Sequence, residues 1–265
     1  MGDTASDGRI ESGSFGLSKV PQVTLAFWVV KILATTVGET GGDALSMTLK
    51  LGYAVSSLIF LGFFAVTLEA QLKATRYHPV VYWAVVVATT TVGTTTSDYL
   101  DSTLGLGYVK SSIMLFLLVI AVLAAWRLTT GAIAVDKITT RNNELFYWVT
   151  ILVSNTLGTA LGDFTASDTG LGFERGALLF AGLIALVAAA HYFTKISGSV
   201  LFWAAYILTR PLGATLGDTL TKPYAEGGLS LGRITSSLVI LAAMIIFISV
   251  TSLRKRDQSQ NPSRT

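Results

Sequence analysis

The chain of 265 residues contains no cysteine, and it is poor in histidine, methionine and charged residues. Without cysteine there can be no disulfide, no thiolate metal ligand and no thiol nucleophile. His78 lies between apolar stretches and His191 at the end of one, so no imidazole is available deep inside those stretches. Only 13% of the residues are charged while 51% are hydrophobic, and the mean hydropathy of +0.61 is well above that of ordinary soluble proteins. These features exclude a disulfide-stabilised or zinc-finger domain and indicate a membrane protein.

Eight apolar stretches are long enough to cross a bilayer, which requires roughly 20 mostly apolar residues per helix. The polar N-terminus has no basic region leading into a short apolar run, so we expect no cleavable signal peptide. We predict an all-α integral membrane protein with one eight-helix domain, 22–253, between disordered cytoplasmic segments 1–21 and 254–265. The predicted transmembrane helices cover about 22–46, 54–72, 79–98, 109–128, 144–163, 175–193, 199–218 and 233–253.

Basic residues are concentrated on one side of the predicted membrane domain. With eight spans, both termini and the connections 72–80, 127–145 and 191–199 share a side. That side carries Arg9, Lys19, Lys73, Arg76, Arg127, Lys137, Arg141, Lys195, Arg254, Lys255, Arg256 and Arg264, whereas the other carries Lys50, Lys110, Arg175, Lys222 and Arg233. The positive-inside rule therefore predicts that both termini are cytoplasmic. The basic pI of about 9.1 follows from this asymmetry, so we predict a lipid bilayer and no nucleic acid as partner.

One unit recurs four times along the chain. In each copy a tryptophan is followed by a glycine ten residues later and by an aspartate fifteen residues later. The copies cover about 22–72, 79–128, 144–193 and 199–253, so each contains two helices and all four point the same way. We predict parallel repeats related by pseudo-twofold and fourfold symmetry about the membrane normal. The tryptophans are Trp28, Trp83, Trp148 and Trp203, the glycines Gly38, Gly93, Gly158 and Gly213, and the aspartates Asp43, Asp98, Asp163 and Asp218.

A carboxylate inside hydrocarbon costs a few kcal/mol or more, so four at equivalent positions predict one shared functional site. At 1.5 Å per residue, the glycine lies about 15 Å and the aspartate about 22 Å beyond the tryptophan. Glu39 adds a fifth carboxylate beside Gly38. Because the apolar stretches offer only oxygen ligands, the site suits a small hard inorganic cation such as Mg²⁺, Mn²⁺, Ca²⁺, Na⁺ or H⁺. The aspartates are therefore candidate metal ligands, and we expect no resident cofactor.

Other polar residues are candidates for supporting this site. Seven residues after each tryptophan lie Thr35, Thr90, Asn155 and Arg210, a second polar ring. Arg210 should pair with an acid, either Glu39 or Asp218, and Lys31 should extend towards the membrane interface. Asp101 and Asp168 follow the second and third aspartates, where solvated surface is the simpler interpretation.

Each repeated residue also has a purely structural interpretation. The tryptophans can form an aromatic belt at the membrane interface. The glycines favour close helix packing over ligand contact. The aspartates can cap outer turns or pair with Lys50, Lys110 and Lys222 at the membrane surface.

The Trp…Gly…Asp unit resembles a family of bacterial inner-membrane proteins built from tandem two-helix repeats of unknown function, each with a characteristic tryptophan. The resemblance covers roughly residues 22–253 and implies an eight-span protein of the bacterial inner membrane without naming a substrate. In outline, Glu39 and Asp43 also resemble the E-x-G-D motif of small cation/proton exchangers. Ala44 stands where that motif has a basic residue, and the other repeats lack the glutamate.

These patterns favour a transporter or exporter of a hard cation, with protons as a coupling ion, over two other classes. A membrane sensor or accessory subunit would bind the cation without moving it. An intramembrane aspartyl enzyme would use the Leu-Gly-Asp sequences at 161–163 and 216–218, but Ala160 and Thr215 replace the glycine of the G-x-G-D motif. We therefore expect no enzymatic activity. The sequence does not decide between a monomer and a homo-oligomer.

Overall fold

The structure is a computed structural model that describes residues 19–131, 133, 138 and 140–260, with backbone alone at 254–260. Eight α-helices occur in this part of the chain, and each begins and ends close to a predicted span. They are α1 (Leu25–Asp43), α2 (Gly52–Lys73), α3 (Pro79–Asp98), α4 (Gly107–Thr130), α5 (Arg141–Asp163), α6 (Gly172–Phe193), α7 (Gly198–Thr221) and α8 (Arg233–Gln260).

The four odd-numbered helices form an inner ring, and the even-numbered helices surround it. Each inner helix packs against the inner helices of the two neighbouring repeats, with α7 closing the ring on α1. Each outer helix packs against the inner helix of the next repeat, so α2 lies on α3 and α8 returns to α1. The repeats are therefore arranged as a closed circle about a central axis. All-helical architecture and parallel internal repeats are confirmed.

Side-chain chemistry explains which helices lie inside. The outer helices present large apolar residues outward, including Leu58, Leu117, Leu178 and Ile246. The inner helices are rich in threonine and glycine, which allow close approach of backbones. Six helices are long and apolar enough to cross a membrane, all but α1 and α3. Those two are buried along much of their length, so their lower hydropathy does not bring polar groups to the outer surface.

The turn after the aspartate has the same conformation in the first three repeats and a different one in the fourth. In the first three repeats the inner helix continues beyond the aspartate as a π-helical turn, at Ala44–Thr48, Tyr99–Thr103 and Phe164–Asp168. The residue before the Leu-Gly pair has a positive φ in all four repeats, although only two of the four are glycine. These residues are Lys50, Gly105, Gly170 and Ser230. The fourth repeat has no π-helical turn; it has a longer connection with a 3-10 turn at Tyr224–Glu226.

The predicted terminal segments fall largely outside the described residues. Residues 1–18 and 261–265 of the predicted disordered ends are not described, and neither is most of 132–139. The backbone of α8 remains helical to Gln260, beyond the predicted boundary at 253, since the next helix-breaking residue is Pro262. At the other end, Lys19 lies on the bundle, where its ammonium is 2.9 Å from the Glu144 carboxylate.

Candidate cation site

The repeated glycines hold the inner helices in close contact. A Cβ atom added to Gly158 would lie 2.5 Å from the side chain of Arg210, and one added to Gly93 would lie 3.0 Å from the backbone of Asn155. Gly38 approaches Thr90, and Gly213 approaches Thr35, in the same way. Each glycine therefore packs against the residue seven positions after the tryptophan of the next repeat. The packing interpretation of the glycines is confirmed.

Side chains at intervals of about four residues line the axis of the inner ring, as helical periodicity requires. Counted from the tryptophans, the rows lie at positions −1, +3, +7, +11 and +15, and almost every member is buried. From the tryptophan end to the aspartate end, the rows are Phe27, Tyr82, Tyr147 and Phe202; Lys31, Val86, Ile151 and Tyr206; Thr35, Thr90, Asn155 and Arg210; Glu39, Thr94, Thr159 and Ala214; then Asp43, Asp98, Asp163 and Asp218.

Arg210 crosses this axis and joins three repeats. Its Nη2 donates to Glu39 Oε2 at 2.9 Å and to the hydroxyl of Thr94 on the opposite inner helix. Thr94 also donates to Glu39 Oε2 at 3.3 Å. Arg210 is fully buried and Glu39 nearly so. Of the two partners predicted for this arginine, Glu39 is the one it contacts.

Two further basic residues contact the aspartates. Arg233 Nε donates to Asp43 Oδ2 at 3.3 Å, and Lys222 Nζ lies 3.5 Å from Asp218 Oδ1. Burial lowers the pKa of Lys222, but the negative charges of Asp218 and its neighbours raise the pKa more, so it lies above the usual lysine value. The lysine is therefore charged at neutral pH. Of the three lysines predicted to pair with aspartates, Lys222 does so.

Carboxylate oxygens of Glu39, Asp43 and Asp218 lie within 4.8 Å of one another. Three oxygens at this separation could ligate one hard cation if their basic partners withdrew. The structure therefore brings together three of the five predicted ligands. Each of the three carboxylates is paired with one basic residue, so the cluster has no net charge.

The other two aspartates of the ring make no direct contact with a basic residue of the described chain, although Lys222 lies within electrostatic range of both. Asp163 is nine-tenths buried and Asp98 is partly exposed, and neither has a hydrogen bond or ion pair with the rest of the described chain. Each lies within electrostatic range of the other. Chemically equivalent positions of the sequence repeat thus have different charge environments.

Lys31 lies inside the bundle, whereas we predicted that it would extend to the membrane interface. It is fully buried, its Nζ donates to Asn155 Oδ1 at 3.3 Å on the opposite inner helix, and it stands 4.1 Å from the centroid of the Tyr206 ring. Asn155 in turn donates to Thr89 at 3.0 Å. The prediction was wrong because position +3 faces the axis, where a lysine cannot reach solvent.

The tryptophans mark one end of the bundle, but most do not form a lipid-facing belt. Trp83, Trp148 and Trp203 are buried, and only Trp28 is partly exposed. Their rings pack edge-on against neighbouring aromatic residues, such as Trp148 against Tyr147 at 5.2 Å between centroids. Tyr147 and Tyr82 share a hydrogen bond of 2.6 Å between their hydroxyls. This aromatic layer closes the axis at the tryptophan end.

Asp101 is buried, which corrects its assignment to solvated surface. Its carboxylate accepts hydrogen bonds from Ser111, one helix away, and from Ser97 at 3.3 Å. The hydrogen bond with Ser111 therefore holds the π-helical turn of the second repeat against α4. Asp168, by contrast, is exposed as predicted.

The contact between Arg233 and Asp43 was not predicted from the sequence, although the repeats contain a signal for it. The residue after the Leu-Gly pair is Tyr53, Tyr108 and Phe173 in the first three repeats and Arg233 in the fourth. A cation that replaces an aromatic residue at one position of a symmetric ring indicates a specific acidic neighbour.

The four two-helix units of the structure coincide with a known sequence repeat. A family model described as Repeat of Unknown Function (DUF347) matches residues 26–77, 81–132, 146–197 and 201–257, one match for each two-helix unit. No curated protein and no solved structure matches the chain.

Proposed function

We propose, starting from the fact that the chain belongs to the DUF347 repeat family, that this protein transports a hard inorganic cation of the Mg²⁺, Mn²⁺ or Ca²⁺ type across a membrane. The observation that carries the proposal is the convergence of Glu39 and four repeat-related aspartates at one end of the inner ring. Buried ionisable groups in membrane domains mark ion pathways, because their cost in hydrocarbon is otherwise uncompensated.

The ligand chemistry supports a hard cation. The region around the aspartates supplies carboxylate, hydroxyl and carbonyl oxygens, which suit Mg²⁺, Mn²⁺ and Ca²⁺. The inner helices also run towards the aspartate end of the ring, so the negative ends of their dipoles lie near that end and favour a cation there. An anion site would need helix N-termini in the same place.

In this proposal the chain crosses a bacterial inner membrane eight times with both termini in the cytoplasm. The aspartate ring then faces the outside, and the aromatic layer faces the cytoplasm. The distribution of basic residues supports this orientation. The exposed apolar residues of the outer helices support contact with lipid on all sides of the bundle.

Cation flux into proteoliposomes tests the proposal directly. Wild-type protein should carry Mg²⁺, Mn²⁺ or Ca²⁺ into vesicles, reported by an enclosed metal-sensitive dye. The Asp98→Asn/Asp163→Asn variant should remain folded and carry none. Asp168→Asn is the matched control, because Asp168 is exposed near the same end of the bundle.

Absence of flux for every cation tested with wild-type protein would contradict transport. Equal flux in wild type and the double variant would contradict the assignment of the pathway to the aspartate ring. Saturable binding without flux would instead assign the protein to the sensor class.

A further inference from the structure

The fourth repeat departs from the other three where its inner helix meets the aspartate ring. After Asp218 the chain has five more residues before the Leu-Gly pair than after Asp43, Asp98 or Asp163. The added segment is ordered by backbone hydrogen bonds: Ser230 N donates to Lys222 O at 2.9 Å, and Leu229 N donates to Thr219 O at 2.7 Å. It replaces the π-helical turn of the other repeats.

This connection carries a cation at each end, and each cation lies on a different aspartate. Lys222 begins it and contacts Asp218, while Arg233 follows it and contacts Asp43. Both side chains are about one-fifth exposed, so they lie between the ring and the surface. Two aspartates of the ring are therefore already paired with cationic side chains of the protein itself.

The first two repeats have a different residue at the position equivalent to Arg233. At the position of Arg233 the first two repeats have Tyr53 and Tyr108. Tyr53 lies within electrostatic range of Asp98 and Asp43, and Tyr108 within range of Asp163 and Asp98. A tyrosine hydroxyl is a neutral oxygen that leaves a neighbouring carboxylate free to bind a cation.

Resting on the proposed transport function, we propose that Lys222 and Arg233 are tethered occupants of two cation positions of the ring. The external cation then binds at the two remaining aspartates, Asp98 and Asp163. The buried carboxylate of Asp163, which has no donor among the described residues, is the group that most requires such a ligand. The tethered cations limit the ring to one external divalent ion by like-charge repulsion.

Mn²⁺ binding to the purified full-length protein tests this assignment, with free Mn²⁺ measured by electron paramagnetic resonance. Wild type should bind one Mn²⁺ per chain. Asp98→Asn and Asp163→Asn should each weaken that binding at least about tenfold, and Asp168→Asn should leave it unchanged. The Lys222→Gln/Arg233→Tyr variant should bind a second Mn²⁺, because it gives the fourth repeat the residue that the first two have.

The Arg233→Lys variant tests whether the charge of this side chain or its shape limits the number of bound ions. It retains the tethered cation and should keep the stoichiometry at one, whereas a merely structural arginine would be replaced poorly by lysine. Thermal melting of each variant, relative to wild type, establishes that the protein remains folded.

The outcomes distinguish this inference from the transport proposal. Transport with one Mn²⁺ bound in the Lys222→Gln/Arg233→Tyr variant would overturn the inference and leave transport standing. So would loss of the wild-type Mn²⁺ in Asp43→Asn but not in Asp98→Asn. Absence of both flux and Mn²⁺ binding in wild type and every variant would overturn both.

Discussion

The ion pair between Arg210 and Glu39 allows a quantitative test of the buried axis. Glu39→Gln removes one negative charge and preserves the shape of the side chain. Arg210 is fully buried and has no other carboxylate within salt-bridge distance among the described residues, so it becomes an uncompensated charge. Breaking a buried pair in this way costs about 3–5 kcal/mol. At about 2–4 °C per kcal/mol, the melting midpoint should fall by about 6–20 °C.

A double-mutant cycle tests whether the charge is the cause. In Glu39→Gln/Arg210→Met both charges are removed, and the combined loss of unfolding free energy should be at least about 2 kcal/mol smaller than the sum of the single losses. The exposed pair of Glu69 and Lys73, with 2.7 Å between charged atoms, is the control, and Glu69→Gln should have no measurable effect. A loss below about 1 kcal/mol for Glu39→Gln, or additive losses in the double variant, would refute the reasoning.

Three further predictions concern packing, charge and orientation. Gly158→Ala should lower the unfolding free energy by about 1–3 kcal/mol through its clash with Arg210, whereas Gly182→Ala, with open space around it, should be neutral or slightly stabilising. The raised pKa of Lys222 means that the stability from its ion pair is lost only as pH rises above the usual lysine value of about 10.4. The difference in unfolding free energy between wild type and Lys222→Gln should therefore stay constant from pH 7 to about pH 9, measured by melting at each pH. Because the chain has no cysteine, Ser167→Cys and Thr194→Cys provide single labelling sites; in intact cells an impermeant maleimide should modify the first and spare the second.

Local sequence patterns were sufficient to predict the helices of this fold. Apolar runs of the required length, interrupted by Leu-Gly turns, mark every helix to within a few residues except at the C-terminal end of α8, because each helix lies within one repeat. The Trp, Gly and Asp positions also predicted that the repeats are parallel and that four carboxylates converge. The partner of Arg210 could be narrowed in advance to Glu39 or Asp218, since few charges are available inside the bundle.

Contacts across the axis could not be predicted so readily. Lys31 and Asn155 are 124 positions apart in the chain and meet only because the inner helices close into a ring. The same closure buries Trp83 and Trp148, which a linear reading places at the lipid interface. The ion pairs of Lys222 and Arg233 depend on the extra residues of the fourth repeat, and only comparison of the repeats with one another indicates that those residues differ.

The order of charges along the axis constrains how a cation could pass. From the aspartate end, an ion would first meet carboxylates, then the Arg210 guanidinium, then Lys31, and finally the aromatic layer. These two basic groups oppose the passage of a divalent cation towards the tryptophan end. In the transport proposal, this order of charges therefore closes the described arrangement at the tryptophan end. Passage requires Arg210 to leave Glu39, so that this carboxylate can follow the cation inward while the arginine moves aside.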